Sequence, residues 1–189
     1  MDSGDVKAFF DNVSVEWDDM RQGFYNDKVI DCLASAIDAN ASKVVADVGT
    51  GTGFVAAGLA SRVDRVIGID NSAAMLRVAR SNFANLGVDN VETMLGGIDR
   101  LPVADHTVDA AVANMVLHHA PDPVAMIREM ARVTRPGGWV AVTDEVTHPY
   151  EWMRIEQADI WLGFDATEIE RFFADVGLVD YHYVTLGIQ

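Results

Sequence analysis

Asp47 ends an apolar run, Gly49, Gly51 and Gly53 follow it at alternate positions, and Asp70 closes the next apolar run 19 residues after Gly51. These residue types at this spacing suit a nucleoside ligand. Glycines let a ligand approach the backbone where a strand turns into a helix. The helix that starts near Gly53 turns its unpaired amides toward the same turn. An acid about 20 residues further on, at the end of the following strand, takes hydrogen bonds from two ribose hydroxyls, and Asp70 in "VIGIDNS" stands there. The spacing also separates ligands. A dinucleotide site asks for G-x-G-x-x-G with a small third residue where the helix packs, but that position is Phe54, and Asp47 precedes the loop. A carboxylate at the mouth of the loop repels a pyrophosphate and suits an ammonium. The ligand therefore reads as adenosine joined to an amino acid.

These groups need a scaffold that brings strand ends together. Runs rich in β-branched residues, at 43–48, 65–70, 91–95, 108–114 and 139–144, alternate with segments of helical period such as "SAAMLRVARSNFANLG" and "PDPVAMIREMARVTR". That order predicts an α/β fold: a Rossmann-like, doubly wound, mostly parallel sheet with helices on both faces. Ser72 suits a helix cap, Gly87 a helix end, Pro123 a first helical turn and "RPGG" (135–138) a turn before the fifth strand. Residues 1–41 read as a helical lead-in or lid of the same domain, and 42–189 as the ligand-binding domain. After "TEIERFFADVG" the chain has room for a sixth strand and little of a seventh. The expected sheet edge is incomplete and invites homodimer formation.

Composition narrows the partners. A net charge of −15 disfavours nucleic acid and anionic membranes. No apolar run approaches the roughly 18–20 residues that span a bilayer, and the acidic N-terminus does not read as a leader; the expected location is cytoplasmic. The single cysteine, Cys32, rules out an internal disulfide and any multi-cysteine metal site, and no metal-binding set is read from the sequence. "KVIDCLASAI" puts Cys32 on the apolar face of a helix, as a small buried hydrophobe.

Four stretches in order, "VADVGTGTG", "VIGIDNSAAML", "LPVADHTVDAAVANMVLHHAPDP" and "RVTRPGGWVAVTDE", resemble the successive motifs of class I S-adenosylmethionine-dependent methyltransferases, in particular the small-molecule branch of methyltransferase-domain proteins. The resemblance runs from about residue 42 to 145. It implies S-adenosyl-L-methionine as cofactor and a small-molecule methyl acceptor. By the same resemblance Asp47 faces the methionine ammonium; Gly49, Thr50 and Gly51 lie beneath the methionine and ribose, before the helix start at Gly53; and Asp70 holds the ribose hydroxyls. Asn71 and Met75 border the adenine, and Asn114 and Met115 stand near the sulfonium. One departure is Gly97, in "GGIDRLP", where the family commonly has an acid for the adenine amino group. Either Asp99 takes over or water and the backbone at Ile98 meet that group, at a cost of about 1 kcal/mol.

A sulfonium methyl is already activated, so a general base is needed only for a protonated acceptor. The candidates are His118 and His119, in "NMVLHHAPDP", and His148. Asp144 and Glu145 end the fifth strand, as site acids or as a solvated strand end. Trp17 and Tyr25 could cover the cofactor. Residues 148–164 are similar to segments of arsenite-type and regulator-fused members. They are expected to form a helix across the rim, with Trp152, Ile155, Asp159 and Leu162 on one face and tryptophans for an apolar acceptor pocket. Arsenite itself would need several thiols, which one cysteine does not supply. The reading is a small-molecule methyltransferase whose acceptor, a quinone carbon, a phenolic oxygen or an amine, stays open. Two alternatives stand beside it: a catalytically degenerate sensor or scaffold that binds S-adenosylmethionine or S-adenosylhomocysteine, and a nicotinamide oxidoreductase, against which Phe54 argues.

Overall fold

A computed structural model describes residues 3–24 and 26–187 of the chain. The lead-in is helical: α1 (Ser3–Val13), α2 (Trp17–Met20), a short 3-10 turn and α3 (Lys28–Ala36). Then β1 (Val44–Val48), α4 (Phe54–Ala60), β2 (Arg65–Asp70), α5 (Ala73–Leu86) and β3 (Val91–Leu95) alternate as the pattern of apolar runs requires. After β4 (Val108–Asn114) come a 3-10 turn at Leu117–His119, α6 (Pro123–Val133) and β5 (Thr134–Thr143). One helical turn, α7 (Met153–Glu156), and α8 (Ala166–Asp175) follow. No helix among the described residues is long and apolar enough to cross a membrane.

The sheet is parallel, with strand order β3-β2-β1-β4-β5. Strand side chains alternate between faces, and both faces are buried. Val45, Val66, Ala110 and Val112 meet Ile30 and Leu33 of α3, Leu59 of α4 and Phe83 of α5. Ala46, Ile67, Ala111 and Ala113 on the other face meet Met126 and Met130 of α6 and Phe172 of α8. Local chemistry fixes the helix ends. The Ser72 hydroxyl accepts from Met75 N–H, and Asp122 caps α6 ahead of Pro123. Gly87 closes α5 in the left-handed region, and Asp165 with Glu168 forms a capping box on α8.

Strand order reverses between β1 and β4. In an open parallel sheet that is where a crevice opens beyond the strand ends. Asp47 and Val112 are paired across this junction, so the glycine loop after β1 and the 115–119 turn after β4 face each other.

Four expectations need correction. The 135–138 segment does not simply precede β5: Thr134 pairs with Val108, residues 135–138 bulge out, and pairing resumes at Trp139 opposite Ala110. No sixth strand forms among the described residues after α8, leaving β5 at the edge of a five-stranded sheet. Cys32 is half-buried, because α3 turns Val29, Ile30, Leu33 and Ala34 inward instead. The 148–164 segment is helical only at α7. Ala158 (φ 64°) and Gly163 (φ 73°) reverse the backbone, and Ile160 and Trp161 N–H both donate to the His118 carbonyl, at 3.0 and 2.9 Å. Of the expected helix face, Ile155 and Trp152 are 82% and 47% exposed while Asp159 is 1% exposed.

Candidate functional site

Three glycines open the site for different reasons. A side chain at Gly49 would drive into Val116, and one at Gly53 into Phe83, with Cβ contacts of 2.5 and 2.4 Å. Packing within the protein excludes side chains at both. Gly51 is different: its nearest neighbour is the Trp17 indole nitrogen, 3.9 Å from where a Cβ would lie. Of the three, Gly51 is where the loop can receive a ligand. The loop is pinned to β2 by Gly49 and Thr50 N–H, which donate to the Ile69 carbonyl at 2.8 and 2.9 Å.

Two acids flank it. Asp47 lies under the loop, 1% exposed, and accepts from the Thr50 hydroxyl at 2.7 Å. Burial pushes its carboxyl up to about 7, against hydrogen bonds from Thr50 and the Ala56 backbone that favour the carboxylate. A buried acid so poorly neutralised suits an incoming cation. Asp70 ends β2 and accepts from Gly51 N–H at 2.9 Å and Ser72 N–H at 2.8 Å. Burial raises its carboxyl too, opposed by those amides. Asn71 is half-buried beside it, and Met75, 1% exposed, offers almost no surface to an adenine in this conformation. Near the end of β3, the Asp99 carboxylate lies 2.7 Å from where a Gly97 side chain would start. Asp99 is exposed and lies beside Gly97, while the Ile98 side chain packs on the core.

The lead-in lies over this half of the site. Ser72 donates its hydroxyl to Asp11 at 2.5 Å, and Thr52 and Asn82 bind Asp18 at 2.7 and 2.9 Å. Trp17 is thereby held across Gly51, with Phe10 edge-on to both Trp17 and His119. Tyr25, the other expected lid residue, lies outside the described residues.

At the end of β4, Asn114 accepts from the Thr143 hydroxyl at 2.8 Å. Met115 has φ 56°, an unusual conformation for a non-glycine residue that the ladder enforces through Met115 N–H to the Thr143 carbonyl. Its side chain lines a narrow cleft. Trp17, Phe24 and Met153 give the cleft an apolar wall; His118, His119, Glu145, Gln157 and Asp159 supply its polar end.

That polar end is organised by Asp144. One oxygen accepts from Leu117 N–H at 2.9 Å and the other from His118 Nδ1 at 2.7 Å, so the acid after β5 sets the histidine after β4. Burial alone would lower His118, but the charges and hydrogen bond of Asp144, with Asp159 and Glu145, raise it to about 9. His119 is held well below its ordinary range by burial and by the charge of His118. Of two adjacent imidazoles, 3.9 Å apart between ring centres, one is charged and one neutral. Asp159 is pushed up to about 6 by burial, against the opposing charge of His118. Neither of its carboxylate oxygens has a hydrogen-bond partner among the described residues.

The structure thus brings His118 and His119 together in the cleft. His148 stands behind Glu145, with 2.8 Å between its Nε2 and Glu145 Oε2, and stacks on Tyr150. Trp152 does not line the cleft, and Trp161 packs on the core with its indole N–H on the Ala120 carbonyl. Sequence reasoning put Asp159 on the acceptor-side segment without a role of its own, and missed Gln157 and Phe24 as cleft residues. The available signal for Asp159 was a lone acid in the otherwise apolar "ADIWLGF".

The family described as methyltransferase domain matches residues 46–142. The arsenite methyltransferase of Halobacterium salinarum is 35% identical over 153 residues, 79% of this chain and 36% of its own. The chloroplastic 2-methyl-6-phytyl-1,4-hydroquinone methyltransferase 2 of Oryza sativa is 34% identical over 185 residues, 95% of this chain and 52% of its own. The chain thus spans between about a third and a half of these relatives. A methyltransferase structure from Aquifex aeolicus superposes with TM-score 0.68 at 22% identity, covering 94% of this chain and 88% of that one.

Proposed function

The chain belongs to the methyltransferase-domain family of class I S-adenosylmethionine-dependent methyltransferases, and from that premise we propose that it methylates a small molecule seated between the lead-in and residues 145–159. The observation that carries the reading is the placement of Asp47, Gly51 and Asp70 at the strand ends beside the switch point, next to a cleft with one apolar wall and one polar end. These residues fit the cofactor. Gly51 lets it approach, the under-neutralised Asp47 suits its ammonium, and Asp70 keeps acceptor capacity for ribose hydroxyls. When bound, S-adenosylmethionine supplies an activated sulfonium methyl group.

The protein's own part is to position and to exclude water. Trp17 covers Gly51, so the lead-in must lift for the cofactor to enter and then seals the site. Met115 and Met153 hold the apolar body of the acceptor, while the neutral His119 and Asp159 are placed to take a proton from its hydroxyl or amine. The likeness to arsenite and hydroquinone methyltransferases supports a small acceptor. Cys32 lies on α3, among residues that pack the opposite sheet face from α6, and lends no thiol for arsenite.

The test is calorimetric titration with S-adenosylmethionine and S-adenosylhomocysteine, then turnover of methyl-labelled cofactor with panels of phenols and amines. One site per chain and label transfer are expected. Binding without transfer to any acceptor or cell extract would favour a cofactor sensor, and no binding would overturn the reading.

A further inference from the structure

The polar end of the cleft has an arrangement that proton transfer alone does not require. His118, His119 and Asp159 each offer a ligand-capable atom, all within 4.8 Å of one another and all buried. We propose that these three residues bind a first-row divalent metal ion of the zinc type, with the polar atom of the acceptor completing its coordination. The second half of that statement rests on the reading of the cleft as the acceptor side; the ion site itself does not. Binding releases the His118 Nε2 proton to solvent, and in the ion-bound state His119 and Asp159 act as ligands in place of the proton-accepting role given above.

Three independent observations carry it. The first is distance. Two ligands each about 2.0–2.2 Å from a tetrahedral ion are roughly 3.3–3.5 Å apart. Here His118 Nε2 is 3.6 Å and His119 Nδ1 is 3.9 Å from Asp159 Oδ1. The two imidazole nitrogens lie within 4.8 Å of each other, so closing the set takes side-chain movements of up to about an ångström. His119 Nδ1 also lies 3.2 Å from the Ala158 carbonyl, a contact it exchanges for the ion.

The second observation is the support behind His118. Ligating histidines characteristically give their other ring nitrogen to a carboxylate, which fixes the ring and its tautomer. Asp144 does this at 2.7 Å, itself held by Leu117 and Glu145 N–H, and leaves Nε2 aimed at Asp159.

The third is Asp159. A carboxylate with a fully buried side chain and two oxygens lacking any hydrogen bond among the described residues is costly unless something pairs with it. A charged His118 at 3.6 Å pairs with it only loosely. Two imidazoles and a carboxylate form a nitrogen and oxygen donor set suited to zinc, cobalt, nickel or iron in the divalent state, not to calcium or magnesium. Asp159 also belongs to a second group of three with Glu145 and His148, so a further carboxylate lies within 4.8 Å of it.

The test uses chelator-treated, tag-free full-length protein titrated with Zn²⁺ and with Co²⁺, without S-adenosylmethionine. One ion per chain is expected, with Co²⁺ absorption bands of a low-coordinate nitrogen and oxygen site. Asp159→Asn should weaken binding by about 100-fold, and Asp144→Asn, which disturbs the support of His118 along with the Leu117 and Glu145 amide contacts, by about 10–100-fold. X-ray absorption of Zn²⁺-loaded wild type should show two imidazoles, a result that needs no variant to fold. Absence of Co²⁺ bands, or affinity unchanged in Asp159→Asn, overturns the proposal. S-adenosylmethionine titration of the same samples separates the two readings: lost cofactor binding with intact ion binding sinks the methyltransferase reading alone, and the reverse sinks the ion site alone.

Discussion

Asp47→Asn should stabilise the ligand-free protein at pH 8 and weaken its hold on S-adenosylmethionine. The Asp47 carboxyl titrates near 7 in the fold against 3.8 as its ordinary value, chiefly because it is buried. The direction follows from proton counts. Below the ordinary value both states hold the proton and the acid carries no penalty. Between 3.8 and about 7 the unfolded chain loses the proton while the fold keeps it, so stability falls as pH rises; above that the penalty is constant. At about 1.36 kcal/mol per pH unit, the ionised fold at pH 8 carries a penalty of roughly 4 kcal/mol as an upper figure. Asparagine avoids that penalty and can still accept from the Thr50 hydroxyl, but its NH₂ meets the Ala56 N–H poorly, at about 1–2 kcal/mol. The net gain is about 2 kcal/mol at pH 8, near 4–8 °C in melting temperature for a chain of this size, and it should vanish toward pH 5. Melting curves of both proteins at pH 5 and pH 8 measure it. Cofactor affinity should meanwhile fall by about 10–100-fold, the loss of a charged hydrogen-bonding partner. Parallel stability at both pH values, or unchanged affinity, would refute the assignment of a strained acid awaiting an ammonium.

Other outcomes follow from the same contacts. Asp70→Ala should weaken S-adenosylmethionine and S-adenosylhomocysteine alike by about 1.5–3 kcal/mol, read by calorimetry; an effect on one ligand alone would contradict a ribose contact. Thr52→Ala removes the hydroxyl that ties Asp18 over the glycine loop, so cofactor association in stopped flow should quicken roughly fivefold, the equivalent of about 1 kcal/mol. Trp161→Ala should cost about 3 kcal/mol in urea unfolding through lost packing and its bond to Ala120. Trp152→Ala should cost under about 0.5 kcal/mol.

The proposed cofactor half of the site and the proposed acceptor half are joined through residues 114–119. Val116 fills the space that Gly49 leaves open, so the loop after β1 and the turn after β4 are packed as one piece. Met115 sits in its unusual conformation between them. His118 and His119, the next helical turn, are fixed by Asp144 from β5 and by the Ala158 carbonyl. Phe10 and Trp17 of the lead-in close over both halves in one aromatic contact chain ending on His119. A lead-in that lifts to admit cofactor therefore also uncovers the acceptor cleft.

Much of this was legible in the sequence because it depends on local period and spacing. The runs at 65–70, 91–95 and 108–114 are β2, β3 and β4 to the residue: the buried β2 and β4 read as near-continuous apolar runs, and the edge strand β3, "VETML", reads from its β-branched residues. Asp47, Gly51 and Asp70 were legible for a related reason, each lying at a strand end where neighbours in sequence are neighbours in space. The glycines were partly misread. Only Gly51 faces open space, whereas Gly49 and Gly53 yield to Val116 and Phe83, partners 67 and 30 residues away along the chain that no local pattern reveals. The 148–164 segment failed more completely. Trp152, Ile155, Asp159 and Leu162 do recur at helical spacing, but two backbone amides of this segment bind the His118 carbonyl, and Phe164 at its end bridges to Val146, in the chain just after β5. Those long-range bonds outweigh a weak local helix of a few turns. They also place Asp159 beside His118, so the same tertiary contacts that broke the expected helix assembled the acidic and imidazole end of the cleft.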